Sequence, residues 1–160
     1  MKKIVVLVTL FVIISHLLFG QSIKKVKITD ILKMADTTTS PLVINFWATW
    51  CGPCVNELKW FEKTIDTYKN KNVKVLLVSL DYGEEYPQGI ANFAKSHGYL
   101  APIVWLSETN PNYYCAQIHP KWQGTIPVTL MVNNAKNYRA FYDGQLPEGQ
   151  LKKALDKLVQ

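Results

Sequence analysis

Thiol, imidazole and guanidinium side chains are scarce in this 160-residue sequence, which has three cysteines, three histidines and a single arginine. Zinc sites built on Cys-x-x-Cys contain two such pairs or histidines at regular spacing, and neither pattern occurs. Internal repeats, low-complexity tracts and interdomain linkers are also missing, which predicts one domain with its own core. The lysines are not gathered with aromatic residues, so the net charge of +6 does not indicate nucleic-acid binding.

Residues 1–20 have the parts of a secretory signal peptide. Lys2 and Lys3 precede an uncharged apolar run from Ile4 to Phe19, and we expect cleavage after the small residue Gly20. The alternative is an uncleaved membrane anchor, for which the run is somewhat short. No cysteine lies near this boundary, which argues against a lipid-anchored protein. We therefore expect residues 21–160 to form a domain exported to the periplasm, or tethered to the membrane if the leader is retained.

The most informative stretch is Trp-Cys-Gly-Pro-Cys at residues 50–54, which follows a run of apolar and strand-forming residues. Apolar residues then recur every three or four positions, which predicts a helix that begins within the motif. Pro53 suits the first helical turn, because its ring presets φ and its missing N–H is not needed there. Cys51 then lies where free N–H groups and the helix dipole stabilise a thiolate nucleophile. Cys54, one turn later, faces inward and can attack a mixed disulfide formed by Cys51.

The spacing of apolar and turn-forming residues predicts alternating strands and helices along the rest of the chain. Two late strands are expected to pair in antiparallel fashion across a turn at residues 133–134. This alternation predicts an α/β sandwich with a mixed sheet. The predicted strands cover residues 22–28, the apolar run from 42, 73–80, 103–106, 126–132 and 138–142, and the predicted helices cover 31–35, 54–69, 88–97, 110–118 and the chain end from 147.

Two features together resemble the thioredoxin superfamily: the motif at residues 50–54 after a strand, and Thr-Ile-Pro at residues 125–127 before a late strand. The leader, the approach Asn-Phe-Trp-Ala-Thr-Trp at residues 45–50 and Glu57 resemble more narrowly its exported branch, the TlpA/ResA-like thiol–disulfide oxidoreductases. The resemblance covers residues 40–160. It implies a thioredoxin-like three-layer sandwich, in which helices flank both faces of a central mixed β-sheet.

The same resemblance implies a substrate-binding surface around the two cysteines. Pro127 would be a cis-proline that faces them, and Ile126 would offer its backbone to an extended partner peptide. A proline within a strand cannot donate to the ladder, and a cis bond costs least before proline, so this place suits it. The alternative is an ordinary edge-strand proline. Trp50, Gly52 and Pro53 would complete the docking surface, with simple packing as the alternative role of Trp50.

Glu57 would match a glutamate that this branch carries beside the buried second cysteine. A carboxylate there could shuttle the proton of Cys54, and partial burial would raise its pKa into a useful range. The alternative is an exposed helix glutamate that pairs with a lysine. Asn45 stands where thioredoxin has a buried aspartate, so ordinary thioredoxin proton chemistry is not expected. Asn45 is instead expected to be a structural amide that satisfies nearby backbone groups.

The predicted function is thiol–disulfide exchange on proteins outside the cytoplasm, with Cys51, Cys54 and Glu57 as catalytic groups and no metal or other cofactor. Similar proteins imply clients such as apocytochrome c or copper-site proteins, and a membrane thiol-transfer protein as the electron donor. Gly52 and Pro53 resemble the residue pair in reducing thioredoxins, which favours a dithiol donor over an oxidant. We expect a monomer, because the docking face must stay open.

Two other functions would use the same thiols. Soft thiolates could hold Cu(I), although no methionine cluster or third ligand lies nearby in the sequence. Peroxide reduction would need a threonine three residues before the reactive cysteine and a supporting arginine, whereas Ala48 occupies that position and Arg139 lies late in the chain. Cys115 is expected to be buried and inert, with a regulatory thiol or an intermolecular disulfide as the alternatives.

Overall fold

Residues 22–160 are described by the computed structural model of the chain, and the predicted leader with its cleavage point lies outside the described residues. Strands and helices alternate along residues 22–160, as the hydrophobic pattern predicts. Within this range no helix has both the length and the apolar character needed to cross a bilayer. The strands are β1 (Lys24–Val26), β2 (Leu42–Trp47), β3 (Lys74–Ser79), β4 (Ile103–Leu106), β5 (Val128–Asn133) and β6 (Tyr138–Asp143), and the α-helices are α1 (Ile28–Thr37), α2 (Gly52–Asp66), α3 (Gln88–His97), α4 (Pro111–Ile118) and α5 (Glu148–Val159).

The six strands form one sheet in the order β1-β4-β3-β2-β5-β6. The first four strands in this order pair in parallel, and β5 and β6 join in antiparallel fashion. β2 lies near the middle, and all of its residues are buried, which suits its nearly continuous apolar sequence. The predicted mixed sheet and the antiparallel pairing of its last two strands are therefore confirmed. The turn between those strands lies at Asn134–Lys136, because Asn133, which was predicted to be in the turn, pairs with Tyr138 as the last residue of β5.

Helices cover both faces of the sheet, as predicted. Alternate side chains along β2 point to opposite faces. Ile44 and Phe46 belong to a core layer with α1 and α4, whereas Val43 and Trp47 belong to a layer with α2, α3 and α5. Asn45 lies between Val43 and Trp47 on the second face, so its buried amide points toward α2.

Two helix ends differ by three residues from the sequence prediction. α1 begins at Ile28, three residues earlier than expected, because Ile28 is fully buried and begins the apolar face of the helix. Asp30, which was predicted to cap the helix from the position before it, lies instead within the first turn. There its carboxylate accepts a hydrogen bond from the Lys27 N–H at 2.8 Å. β1 is correspondingly shorter than predicted. α2 ends at Asp66, and a short 3-10 turn at Lys69–Lys71 follows it.

Leu155 on α5 tests the layer that packs against α2. Its side chain is fully buried, so Leu155→Ala removes packed carbon atoms and leaves a cavity. We expect a loss of about 2–5 kcal/mol in the free energy of unfolding. Lys153→Ala, on the exposed side of the same helix, is the control and should change it by less than about 0.5 kcal/mol. Urea denaturation measures both variants, and equal losses would contradict this account of the layer.

Candidate active site

Cys51 and Cys54 lie at the start of α2 and are joined by a disulfide. A tight turn leads from β2 into the helix, in which the Cys51 N–H donates to the Ala48 carbonyl at 3.1 Å. Cys51 is the N-cap residue, Gly52 and Pro53 form the start of the helix, and Cys51 Sγ accepts from the Cys54 N–H at 3.2 Å. Cys51 keeps 5% of its surface exposed and Cys54 keeps none. Of the two cysteines, only Cys51 therefore keeps any surface that a partner could contact.

The peptide bond between Ile126 and Pro127 is cis, as predicted. Pro127 directly precedes β5, and the next residue, Val128, pairs with Phe46 near the end of β2 that leads into the cysteines. The carbonyl oxygen of Ile126 lies 3.7 Å from Cys51 Sγ. The strand pairing thus brings Ile126 and Pro127 beside the reactive sulfur, although the two residues are far from it in sequence.

Glu57 is fully buried one helical turn after Cys54, and is not the exposed, lysine-paired residue of the alternative. Asn45 Nδ2 donates to Glu57 Oε1 at 2.8 Å, and the Leu146 N–H donates to Glu57 Oε2. Burial raises the pKa of Glu57 from 4.5 to about 7, because loss of water disfavours the charged carboxylate. The two hydrogen bonds favour the charged form and lower the pKa, but they offset the effect of burial only in part. The carboxyl group can therefore gain or lose a proton near neutral pH.

The amide of Asn45 binds side chains, and not the nearby backbone groups that the sequence analysis expects. Its Nδ2 donates to Thr129 Oγ1 at 3.0 Å as well as to Glu57. Thr129 lies directly opposite Asn45 in the pairing of β5 with β2, so the two buried polar side chains meet. Sequence reasoning missed Thr129, because only the strand register reveals this contact.

The loop between β6 and α5, residues 144–147, holds three parts of the site together. Sequence reasoning identified only a turn here. The loop donates one hydrogen bond each to the carbonyl of Pro127 (from the Gly144 N–H, 3.0 Å), to the carbonyl of Pro53 (from Gln145 Nε2, 3.1 Å) and to the carboxyl group of Glu57 (from the Leu146 N–H).

Trp50, directly before Cys51, is 56% exposed, so most of its ring is not packed in the core. Its ring stacks on that of Tyr82, with 6.0 Å between the ring centroids. Trp47 is fully buried in the core by contrast. Tyr82 was not identified from the sequence, where it lies in a loop without a recognisable motif.

Arg139 lies away from the redox pair and forms an ion pair with Asp36 of α1 at 2.9 Å. Asp143, at the other end of β6, pairs with Val128, the first residue of β5 and the neighbour of Pro127. Arg139 lies four residues along β6 from Asp143. That separation corresponds to roughly 13 Å of extended strand. The supporting arginine that peroxide reduction would need is therefore not beside Cys51.

Cys115 is a free, buried cysteine on α4, in the core layer opposite to the one that contains the redox pair. Burial raises the pKa of the Cys115 thiol to about 11, so the thiol form prevails at neutral pH. Its predicted burial is confirmed. In the part of the chain that the structure describes, no three His, Cys, Asp or Glu side chains group as metal ligands.

A family model described as the AhpC/TSA family matches residues 18–140. The chain belongs to the AhpC/TSA family. It is 29% identical over 112 residues to the sporulation thiol-disulfide oxidoreductase A of Bacillus subtilis (strain 168), a match that covers 69% of this chain and 63% of that protein. It is 26% identical over 89 residues to the thiol-disulfide oxidoreductase ResA of Bacillus thuringiensis (strain Al Hakam), which covers 53% of this chain and 50% of that protein.

Among solved structures, this AhpC/TSA-family chain resembles the thioredoxin-related protein from Neisseria meningitidis serogroup B. The two have a TM-score of 0.63 and 26% sequence identity, over 76% of this chain and 86% of that chain. The predicted resemblance to the thioredoxin superfamily, with its thioredoxin-like sandwich, is therefore confirmed. The chain spans less than two thirds of the length of the two curated relatives.

The raised pKa of Glu57 predicts a pH-dependent stability. The folded state holds its proton up to about pH 7, whereas the unfolded chain releases it near 4.5. In that window the folded state binds more protons, so its stability falls as the pH rises. Relative to Glu57→Gln, we expect the wild type to lose about 2–3 kcal/mol of unfolding free energy between about pH 4 and pH 8.

Urea denaturation of the oxidised wild type and of Glu57→Gln across this pH range gives the unfolding free energy of each protein. Contributions from other titrating groups cancel when the value of one protein is subtracted from that of the other. The matched control is Glu148→Gln, because Glu148 is exposed at the start of α5. A difference between wild type and Glu57→Gln that does not change with pH would contradict the buried, neutral carboxyl group.

Proposed function

We propose that this AhpC/TSA-family protein is a thiol–disulfide oxidoreductase that reduces disulfides of client proteins outside the cytoplasm. The observation that carries the proposal is the Cys51–Cys54 disulfide at the N-terminus of α2, 3.7 Å from the carbonyl oxygen of Ile126. The names of two relatives, both thiol-disulfide oxidoreductases, support this chemistry. The signal-peptide pattern of residues 1–20 supports the location.

The reaction begins with the reduced pair. The Cys51 thiolate attacks one sulfur of a client disulfide, and the other client sulfur leaves as a thiolate that takes up a proton. Cys54 then loses its proton, attacks Cys51 Sγ in the mixed disulfide and releases the second client thiolate, which is protonated in turn. The client has gained two electrons and two protons, and Cys51 and Cys54 end as a disulfide.

Glu57 serves as the proton acceptor for Cys54. Cys54 is fully buried, so its proton needs an acceptor inside the protein, and a carboxyl group with a pKa of about 7 one turn away can provide it. The hydrogen bonds from Asn45 and from the Leu146 N–H hold the carboxyl group in place. Proton transfer to Glu57 leaves Cys54 as the thiolate that attacks the mixed disulfide.

The client binds as an extended peptide along Ile126 and the cis Pro127, bordered by Trp50, Gly52 and Pro53. The exposed ring of Trp50, the residue before Cys51, and the backbone of Ile126, whose carbonyl oxygen lies 3.7 Å from Cys51 Sγ, provide this surface. After each turnover a membrane thiol-transfer protein reduces the pair again. Apocytochrome c and copper-site proteins are the clients that the resemblance suggests, and the protein acts as a monomer.

The order of attack is tested by trapping. In a Cys115→Ser background, reduced Cys54→Ser should form a stable mixed disulfide with insulin, because Cys51 attacks and no second thiol releases the adduct. Cys51→Ser should form little adduct, since Cys54 is inaccessible. Non-reducing electrophoresis and mass spectrometry measure the adducts. An adduct formed equally by both variants, or failure of the reduced parent to reduce insulin, would contradict the proposal.

The direction of electron flow is tested by the reduction potential of the Cys51–Cys54 couple. We expect a value nearer to that of thioredoxin, about −270 mV, than to that of DsbA, about −120 mV, because Gly52 and Pro53 match the residue pair of reducing thioredoxins. Equilibration in thiol–disulfide buffers measures it, with Cys115→Ser to remove the third thiol. A potential near that of DsbA would make the protein an oxidant.

A further inference from the structure

Two large aromatic side chains beside the redox pair are exposed and stack on each other. Trp50 is 56% exposed and Tyr82 is 70% exposed, with 6.0 Å between the ring centroids and 22° between the ring planes. Packing within the chain explains neither ring, because most of each lies on the surface. Trp50 adjoins Cys51, so a client disulfide that reaches Cys51 lies next to this pair of rings.

The backbone that carries the two rings is held in place by Asp81. Its carboxylate accepts hydrogen bonds from the Thr49 N–H (3.0 Å), from the Thr49 hydroxyl (2.6 Å) and from the Ser79 hydroxyl (2.7 Å). Trp105 Nε1 donates to the Asp81 carbonyl at 2.8 Å. The segment before the cysteines and the loop after β3 are therefore tied together, and Trp50 and Tyr82 are presented from a preorganised support.

The chain segments that carry the two rings and the cis-proline also contain charges of only one sign. We define the redox face as residues 49–53, 81–85 and 124–127, which include acidic residues but no lysine, arginine or histidine. Glu84 and Glu85 are exposed there. Neither takes part in an ion pair within residues 22–160. This is notable in a chain with a net charge of +6.

Two basic residues close to this face, Lys121 and Lys25, form no ion pair with its carboxylates. Lys121 precedes the face in the sequence, and Lys25 directs its ammonium at the ring of Trp105, 5.5 Å from the ring centroid. This contact of Lys25 with Trp105 is a cation–π interaction. An exposed aromatic ring beside the redox pair can make the same interaction with a cation of an incoming client.

Of the two exposed acids, Glu84 is the better placed to meet a client. The Glu85 carboxylate lies over Gly89, where an added Cβ would be 1.9 Å from Glu85 Oε2, so it faces the first turn of α3. Glu84 follows Tyr82 by two residues, is exposed and forms no ion pair among residues 22–160.

We propose that Trp50, Tyr82 and Glu84 form a subsite for a lysine or arginine side chain that the client carries beside its disulfide cysteine. Aromatic faces attract a cation within about 6 Å, and an adjacent carboxylate adds charge complementarity that speeds encounter and sets the register of the bound peptide. The inference rests on the proposed function and narrows its clients to those with basic segments.

The test compares three peptides that contain one intramolecular disulfide and differ only at the position before the first cysteine, which is Lys, Gln or Glu. Stopped-flow measurement of their reduction by the pre-reduced full chain gives second-order rate constants. We expect the Lys peptide to react about five- to tenfold faster than the Glu peptide, with Gln between them. The preference should shrink at about 1 M salt, where the Debye length is about 3 Å.

Tyr82→Leu and Glu84→Gln should each lower the Lys-to-Glu ratio by about threefold, and the double variant should abolish it. Tyr113→Leu, at an exposed tyrosine on α4, and Asp66→Asn, at the exposed end of α2, are the controls and should keep the wild-type ratio. Equal rates for the three peptides, or a preference for Lys that survives the double variant, would overturn the subsite and leave the proposed function intact. Failure to reduce any peptide would instead overturn the proposed function, and the subsite with it.

Discussion

A carboxyl group buried in an apolar layer is the constraint on which the site depends. Glu57 has no exposed surface, and a buried carboxyl group is costly unless hydrogen bonds satisfy it. Its two bonds come from different elements, Asn45 on β2 and Leu146 in the loop before α5. Glu57 itself belongs to α2. Satisfying this one side chain therefore fixes the sheet, the redox helix and the closing loop relative to one another.

The register of β5 against β2 meets two requirements at once. It places Thr129 opposite Asn45, which gives the buried amide a second partner, and it places Pro127 two residues earlier, beside Cys51. A shift of one residue would turn every side chain of β5 to the other face of the sheet, so both contacts would be lost together. The polar contact inside the core and the position of the Ile126–Pro127 backbone beside Cys51 therefore depend on the same pairing.

Local patterns explain why much of this arrangement was predictable. Cys51, Pro53 and Cys54 stand in one short motif whose strand-to-helix context is readable from apolar spacing, and a proline inside a strand pattern marks Pro127. The partners of these residues were not predictable in the same way. Thr129, Tyr82 and the loop at residues 144–147 reach the site through strand register and loop path, which no local spacing encodes. The early start of α1 was missed for a related reason, since tertiary burial of its first residue outweighed a weak local signal.

The amide at position 45 and the acid at position 57 are best understood as one unit. A second carboxylate at position 45 would lie within hydrogen-bond distance of Glu57, and two carboxylates that share a buried site cannot both ionise without strong repulsion. The amide removes that conflict and still donates to the carboxyl group that remains. The site thus holds one carboxyl group, Glu57, one helical turn from Cys54. Burial raises the pKa of this group and two hydrogen bonds lower it, so its pKa near 7 does not depend on a neighbouring acid. That arrangement suits the proposed transfer of a proton from the buried thiol of Cys54.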